Sequence, residues 1–124
     1  MANEVQIQSG LKLTNGNLSS PMLTNNYNAD QTTARAYEDT QQIGTTAGGE
    51  VLVVGSISTA GWAYFKNLDA TNIVKIGPES GGAIVDLITL APGETAGPMK
   101  MATSTIRAIA LVGGCDLWYR IYEA

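Results

Sequence analysis

The feature that most constrains this chain is its punctuation. Gly or Pro interrupts nearly every window long enough for a helix, and β-branched residues dominate the apolar runs in between. What remains is a series of short runs that alternate apolar and polar residues. Such alternation puts every second side chain on one face of a strand, so each run can cover one side of a core. Two runs are clearest. In Gly61–Leu68, Trp62, Tyr64 and Lys66 oppose Ala63, Phe65 and Asn67; in Cys115–Tyr122, Cys115, Leu117, Tyr119 and Ile121 share a face. Phe65, Leu117, Tyr119 and Ile121 are therefore expected in the core. The best helical window, Ala34–Gln41, is short and flanked by threonine.

Other runs complete the set. Val5 and Ile7, then Leu11 and Leu13, alternate on either side of Ser9-Gly10. Asn15-Gly16 suits the positive-φ positions of a tight turn. Ser19–Asp30 is polar and Asn-rich with a proline, and reads as a loop or an extended arm. Val51–Gly55 reads as a central strand, and Ile73–Ile76 as a strand closed by Gly77-Pro78. Ala83–Leu90 and Met99–Ala102 follow. Thr105–Val112 and Cys115–Tyr122 are joined by Gly113-Gly114, which reads as a hairpin. Roughly eight to ten strands at about 8–12-residue spacing predict an antiparallel β-sandwich or barrel. The expectation is all-β: a jelly-roll-like sandwich over residues 31–124, preceded by residues 1–30 as an extended arm or as first strands with a polar loop. A chain of 124 residues can bury a sufficient core without a metal or disulfide.

The same residues exclude much chemistry. Histidine is absent, which removes histidine triads, histidine metal sites and the usual general base near neutrality. One cysteine, Cys115, cannot form an internal disulfide, and its position in the apolar register reads as packing. Asp69, Asp86, Glu94 and Asp116 sit at turns or on polar faces, where a solvated carboxylate is expected rather than a glycosidase pair. Neither they nor Asp39 has the spacing of a calcium loop. Gly44–Glu50 is glycine-rich but lacks the Lys and the following helix of a phosphate loop. No catalytic, metal or cofactor site is expected. The net charge of −4 with scattered Lys and Arg argues against nucleic acid, and no apolar run is long enough for a membrane helix. The first ten residues lack the basic and apolar regions of a signal peptide.

Charged residues make up 15% of the chain, against about 25% in an average soluble protein. Low charge lets surfaces be buried between subunits, so a homo-oligomer is expected. Val5, Ile7, Leu11 and Leu13 offer alternating apolar residues that could add a strand to a neighbour or form an ordinary first strand. Trp62, Tyr64, Trp118 and Tyr122 could form a sugar-binding patch, but read first as core and interface residues. The candidate assembly residues are Val5, Ile7, Leu11, Leu13, Trp62 and Tyr64.

The stretch GWAYFKNLDATNIVKIGPESGGAIVDLITLAPGETAGPMKM runs from an aromatic strand into N-L-D-x-T-N, then a V-x-I-G strand, then a strand ending L-x-P-G-E. With CDLWYRIYEA at the end, and LKLTNGNL and QTTARAYEDTQQIGTT before it, the chain resembles small structural proteins of tailed bacteriophages. The resemblance implies a virion β-sandwich, often trimeric, with the major capsid protein or tail proteins as partners. It implies a protein made in the host cytoplasm and placed in the virion. Two roles compete: a capsid decoration (cement) protein on the outside of the head, and a tail adaptor, baseplate or fibre-attachment part. Small size and a free arm favour cement. A carbohydrate-binding β-sandwich module is a further alternative. No site residues carry over from the resemblance.

Overall fold

The computed structural model describes residues 4–124, and among them there are strands but no helix. In chain order these are β1 (Val5–Asn15), β2 (Leu18–Ala29), β3 (Ala36–Ile43), β4 (Glu50–Val51), β5 (Ala60–Asn67), β6 (Val74–Ser80), β7 (Ala83–Ile84), β8 (Ile88–Leu90), β9 (Thr95–Lys100), β10 (Ile106–Ala110) and β11 (Cys115–Glu123). Every pairing between them is antiparallel.

β3-β11-β5-β9 form one sheet. β4-β10-β6 form the backbone of the second, with β7 and β8 along the outer side of β6. The inner faces of the two sheets share a single core, which makes the body a β-sandwich-like, all-β fold. Phe65, Leu117, Tyr119 and Ile121 lie in that core as their alternation implies, all fully buried. Facing them are Val74, Ile76, Ile106 and Ala108. Small residues at 108 and 110 leave room for the large rings opposite. Tyr119 is the largest buried side chain, between Tyr37 and Phe65 at centroid separations of 6.1 and 6.5 Å. Burial pushes its phenol pKa far up, so the hydroxyl stays protonated and donates to the Val53 carbonyl. Asn67 is the one buried amide among the core strands. Its Nδ2 donates to the carbonyls of Asn72 and Leu90 and its Oδ1 accepts from the Asp69 N–H, which fixes the loop after β5.

The weak helical window at Ala34–Gln41 forms no helix: residues 36–43 are strand, Tyr37 and Ile43 turn inward beside β11, and the ladder runs from Cys115↔Ile43 to Tyr122↔Ala36. Several other expectations need correction. The Val51–Gly55 run is not central. Only Glu50–Val51 is strand, at an edge beside β10. β10 and β11 are not a hairpin, because they belong to different sheets. A primed turn needs positive φ, and neither Gly113 nor Gly114 is among the positive-φ glycines. The segment instead carries the chain from one sheet to the other, with the Leu111 N–H on the Ile73 carbonyl.

β6 also does not stop at Gly77-Pro78. It continues to Ser80, and the expected Ala83–Leu90 strand is broken into β7 and β8. The register explains the break. Glu79 pairs Ile84 and Ile76 pairs Ile88, so residues 85–87 oppose only 77–78, a β-bulge. Gly77 permits it, since a Cβ there would lie 1.8 Å from the Val85 carbonyl oxygen.

Two stability outcomes follow. Leu117→Ala should cost about 2–5 kcal/mol in a denaturant titration, as a large-to-small change in a closed core does. Gly77→Ala should cost about 3 kcal/mol or more, because the obstacle is backbone and cannot rotate away. A loss below about 0.5 kcal/mol for Leu117→Ala would place that face outside the core.

Candidate functional site

β1 and β2 form a sheet of their own, a long hairpin closed at Gly16 with φ of 57°. The polar Ser19–Asp30 stretch is thus mostly strand, held by the ladder from Val5↔Ala29 to Asn15↔Leu18. Leu11 pairs Leu23 and Leu13 pairs Ser20, so Lys12 opposes both Pro21 and Met22. The proline falls in this bulge, where its missing N–H matters least. Register and alternation give the hairpin two unlike faces. One carries Val5, Ile7, Leu11 and Leu13 from β1 with Leu18, Leu23 and Tyr27 from β2. The other carries Gln6, Gln8, Lys12 and Thr14 with Met22, Thr24, Asn26 and Asn28.

Only the base of the apolar face is covered. Val5 and Ile7 are 6% and 8% exposed, whereas Leu11, Leu18 and Leu23 are 74%, 61% and 71% exposed. The base lies over the outer face of β5, β9 and β11. There Val5–Gln8 border a groove of about 280 Å³ with Trp62, Tyr64, Pro98, Trp118, Arg120 and Tyr122. The Tyr27 and Trp62 rings meet at 6.2 Å, and Tyr64 meets the edge of Trp118 at 6.0 Å. The Arg120 guanidinium lies 5.4 Å over the Trp118 ring and donates from Nε to Glu38 Oε1 at 2.7 Å. Arg120 thereby holds the Glu38 carboxyl below its usual range.

A second cluster ties down the other side of the base. Glu123, the last inward residue of β11, is buried. Its carboxylate accepts from the backbone N–H groups of Ser58 and Thr59, from the Ser58 hydroxyl and from Arg35 Nη1. The backbone donors, followed by Arg35 and the hydroxyl, outweigh desolvation and keep its pKa below the usual value. Gln31 Nε2 donates to the Arg35 and Glu123 carbonyls, and the Gln31 N–H donates to Glu4. The two ends of the hairpin are therefore pinned to the end of β11.

Of the six candidate assembly residues, Val5, Ile7, Trp62 and Tyr64 come together at this groove. Leu11 and Leu13 lie outside it, on the projecting part of the hairpin. Sequence reasoning missed Leu18 and Leu23 as their companions, because the NNYN run hides the β2 alternation. It also missed Glu123, although the alternation Cys115, Leu117, Tyr119, Ile121 puts position 123 on the inner face.

Three of the four acids singled out from the sequence have structural partners. Asp69 accepts from the N–H groups of Asn72 and Thr71, which hold its carboxyl below the usual range. Asp86 pairs with Lys75 at 3.0 Å, Glu94 accepts from the Ala91 N–H, and Asp116 is exposed on the outer face. Cys115 is buried, and desolvation raises its thiol pKa. Among the described residues no group of His, Cys, Asp or Glu is placed to hold a metal ion. Compared with known protein families, curated proteins and solved structures, the chain matches none.

The Glu123 cluster has a pH signature. Folding favours its ionised form, so its contribution is complete above pH 4.5, the unperturbed value, and is lost as the pH falls through the depressed folded value. Thermal melts from pH 7 to 3 should show a flatter acid limb for Glu123→Gln than for the parent. Glu38 and Asp69 are shifted the same way, so the variant should keep part of the slope. Ile7→Ser should release the hairpin base, exposing the β1–β2 segment to limited proteolysis while the body melts at nearly the parent temperature.

Proposed function

We propose that this chain is a non-enzymatic structural protein of a bacteriophage particle. Its role is that of a capsid decoration (cement) protein that binds the outside of the head between capsomers as a homo-oligomer, most simply a trimer. The observation that carries the reading is the hairpin: a rigid sandwich that projects a two-stranded arm with an uncovered apolar face. In isolation such a face is a liability, and contact with a neighbouring subunit turns it into binding surface. Of the acids near the strongest strands, Asp69 and Glu94 cap loops and Asp86 pairs with Lys75.

The body fits a jelly roll. Its pairings nest: β3 with β11, β4 with β10, β5 with β9 and β6 with β8. A long antiparallel ribbon that rolls up on itself has this order, with β11–β5 and β10–β6 stitching the rolled turns together. Capsid and lectin domains use this architecture, so it supports a virion role by analogy only. The resemblance of the Gly61–Met101 stretch to phage structural proteins is the second support. A cement subunit needs no tuned catalytic group. It needs a stiff body and a joint site that exists only in the assembled shell, which it then stabilises by mass action.

The test is addition of the purified protein to capsids that lack it. Binding in hundreds of copies with a raised shell melting temperature is the expected result. Absence of shell binding, with the protein found in a few copies at the tail, would overturn the cement role in favour of a tail part.

A further inference from the structure

We infer that the outer face of the β3-β11-β5-β9 sheet, where it forms the groove beside the hairpin, binds an acidic oligosaccharide: a chain of pyranose rings, some of which carry a carboxylate. The inference goes beyond the cement role and does not depend on it. The observation behind it is a pairing across the ladders. Trp62 stands opposite Lys100, Tyr64 opposite Arg120, and Trp118 opposite Lys66. Directly opposed side chains on one face of a sheet lie roughly 5 Å apart at Cβ. Three rings and three cations therefore interleave on one surface, and Tyr122 adds a fourth ring at the groove.

Each part suits one feature of such a ligand. A pyranose presents a face of C–H bonds, which packs against the electron-rich face of an aromatic ring, and the four rings here are half-buried and held in place. The groove of about 280 Å³ is at the small end of ligand sites, which suits a short sugar segment rather than a folded partner. Lys66 and Lys100 are exposed and form no ion pair among the described residues, so both can meet a carboxylate. Arg120 is fixed over Trp118 by its Nε contact with Glu38 at 2.7 Å.

Charge selects among anions. This sheet face carries Lys66, Lys100 and Arg120 against Glu38 and Asp116, a balance of +1; the whole chain is −4, so the remainder sums to −5. The face is a weakly positive site on an acidic molecule, which directs an anionic ligand to it. A low positive balance matches a polymer with carboxylates spaced along neutral rings. A nucleic acid, with a phosphate at every nucleotide, meets repulsion from the rest of the chain.

Both tryptophans of the chain, Trp62 and Trp118, lie at the groove, so tryptophan emission reports on it directly. The test is an emission titration with oligogalacturonate, alginate oligomers and sialyllactose, with neutral oligosaccharides and with oligothymidylate, at low and high salt. The expected result is saturable binding of an acidic sugar that weakens with salt and exceeds that of the neutral sugars. Arg120→Gln should weaken it about tenfold, the loss of a charge-assisted contact, and Lys66→Gln less. Both positions are exposed, and circular dichroism checks that each variant keeps the fold. If Arg120→Gln does not, the Lys66→Gln/Lys100→Gln variant takes its place. The inference is overturned if no acidic sugar binds at millimolar concentration, if neutral sugars bind equally well, or if folded variants bind like the parent. Tighter binding of oligothymidylate than of any sugar would overturn it in favour of a single-stranded nucleic acid. None of these results bears on the capsid assay, so the two readings fail separately.

Discussion

The body of this protein depends on the inner face of β11. Cys115, Leu117, Tyr119 and Ile121 are all buried, and β11 is flanked by β3 on one side and β5 on the other. Tyr119 does more than fill space. Its ring sits between Tyr37 and Phe65, and its hydroxyl reaches Val53 and Gln41. Gln41 in turn binds Glu50, the Val51 carbonyl and the Val53 N–H. The short edge segment around β4 is therefore tied across the sandwich to the centre of the opposite sheet. At the end of the same face, Glu123 ties down the Ser58–Thr59 backbone and the base of the hairpin.

That division of labour separates a body with its own core from a two-stranded hairpin that is covered only at its base. The body shares one core between two sheets, and its loops are closed by buried or cap-like polar groups such as Asn67 and Asp69. The hairpin has a two-stranded ladder and contact only at its base. A two-stranded sheet alone is marginal in water. Its far half gains hydrophobic stabilisation only when something covers the leucines. In the proposed homo-oligomer, assembly and ordering of the hairpin are linked in one equilibrium.

How much of this was legible in the sequence depends on how local the signal was. The all-β class was, because Gly and Pro left no room for helices. The inward residues of β5 and β11 were, because period two survives wherever one face is buried. Sheet membership was not. Ile106–Ala110 and Cys115–Ile121 both present apolar inner faces, and alternation does not say whether two such strands pair side by side or face each other across a core. Gly113-Gly114 looked like a hairpin turn, yet the chain crosses between sheets there without positive φ. β2 was hidden because its strand character comes from the β1 ladder rather than from its own composition. Glu123 was visible in principle: an acid on the inward register of a buried strand demands partners.

Hydrogen exchange read residue by residue, at a concentration below assembly and again above it, tests the arm most directly. Backbone amides of β1 and β2 beyond Ile7 should exchange quickly in the free protein and become protected on assembly, while the β5 and β11 amides stay protected in both. Equal protection of the far hairpin in the free and assembled states would contradict an arm ordered by its neighbour.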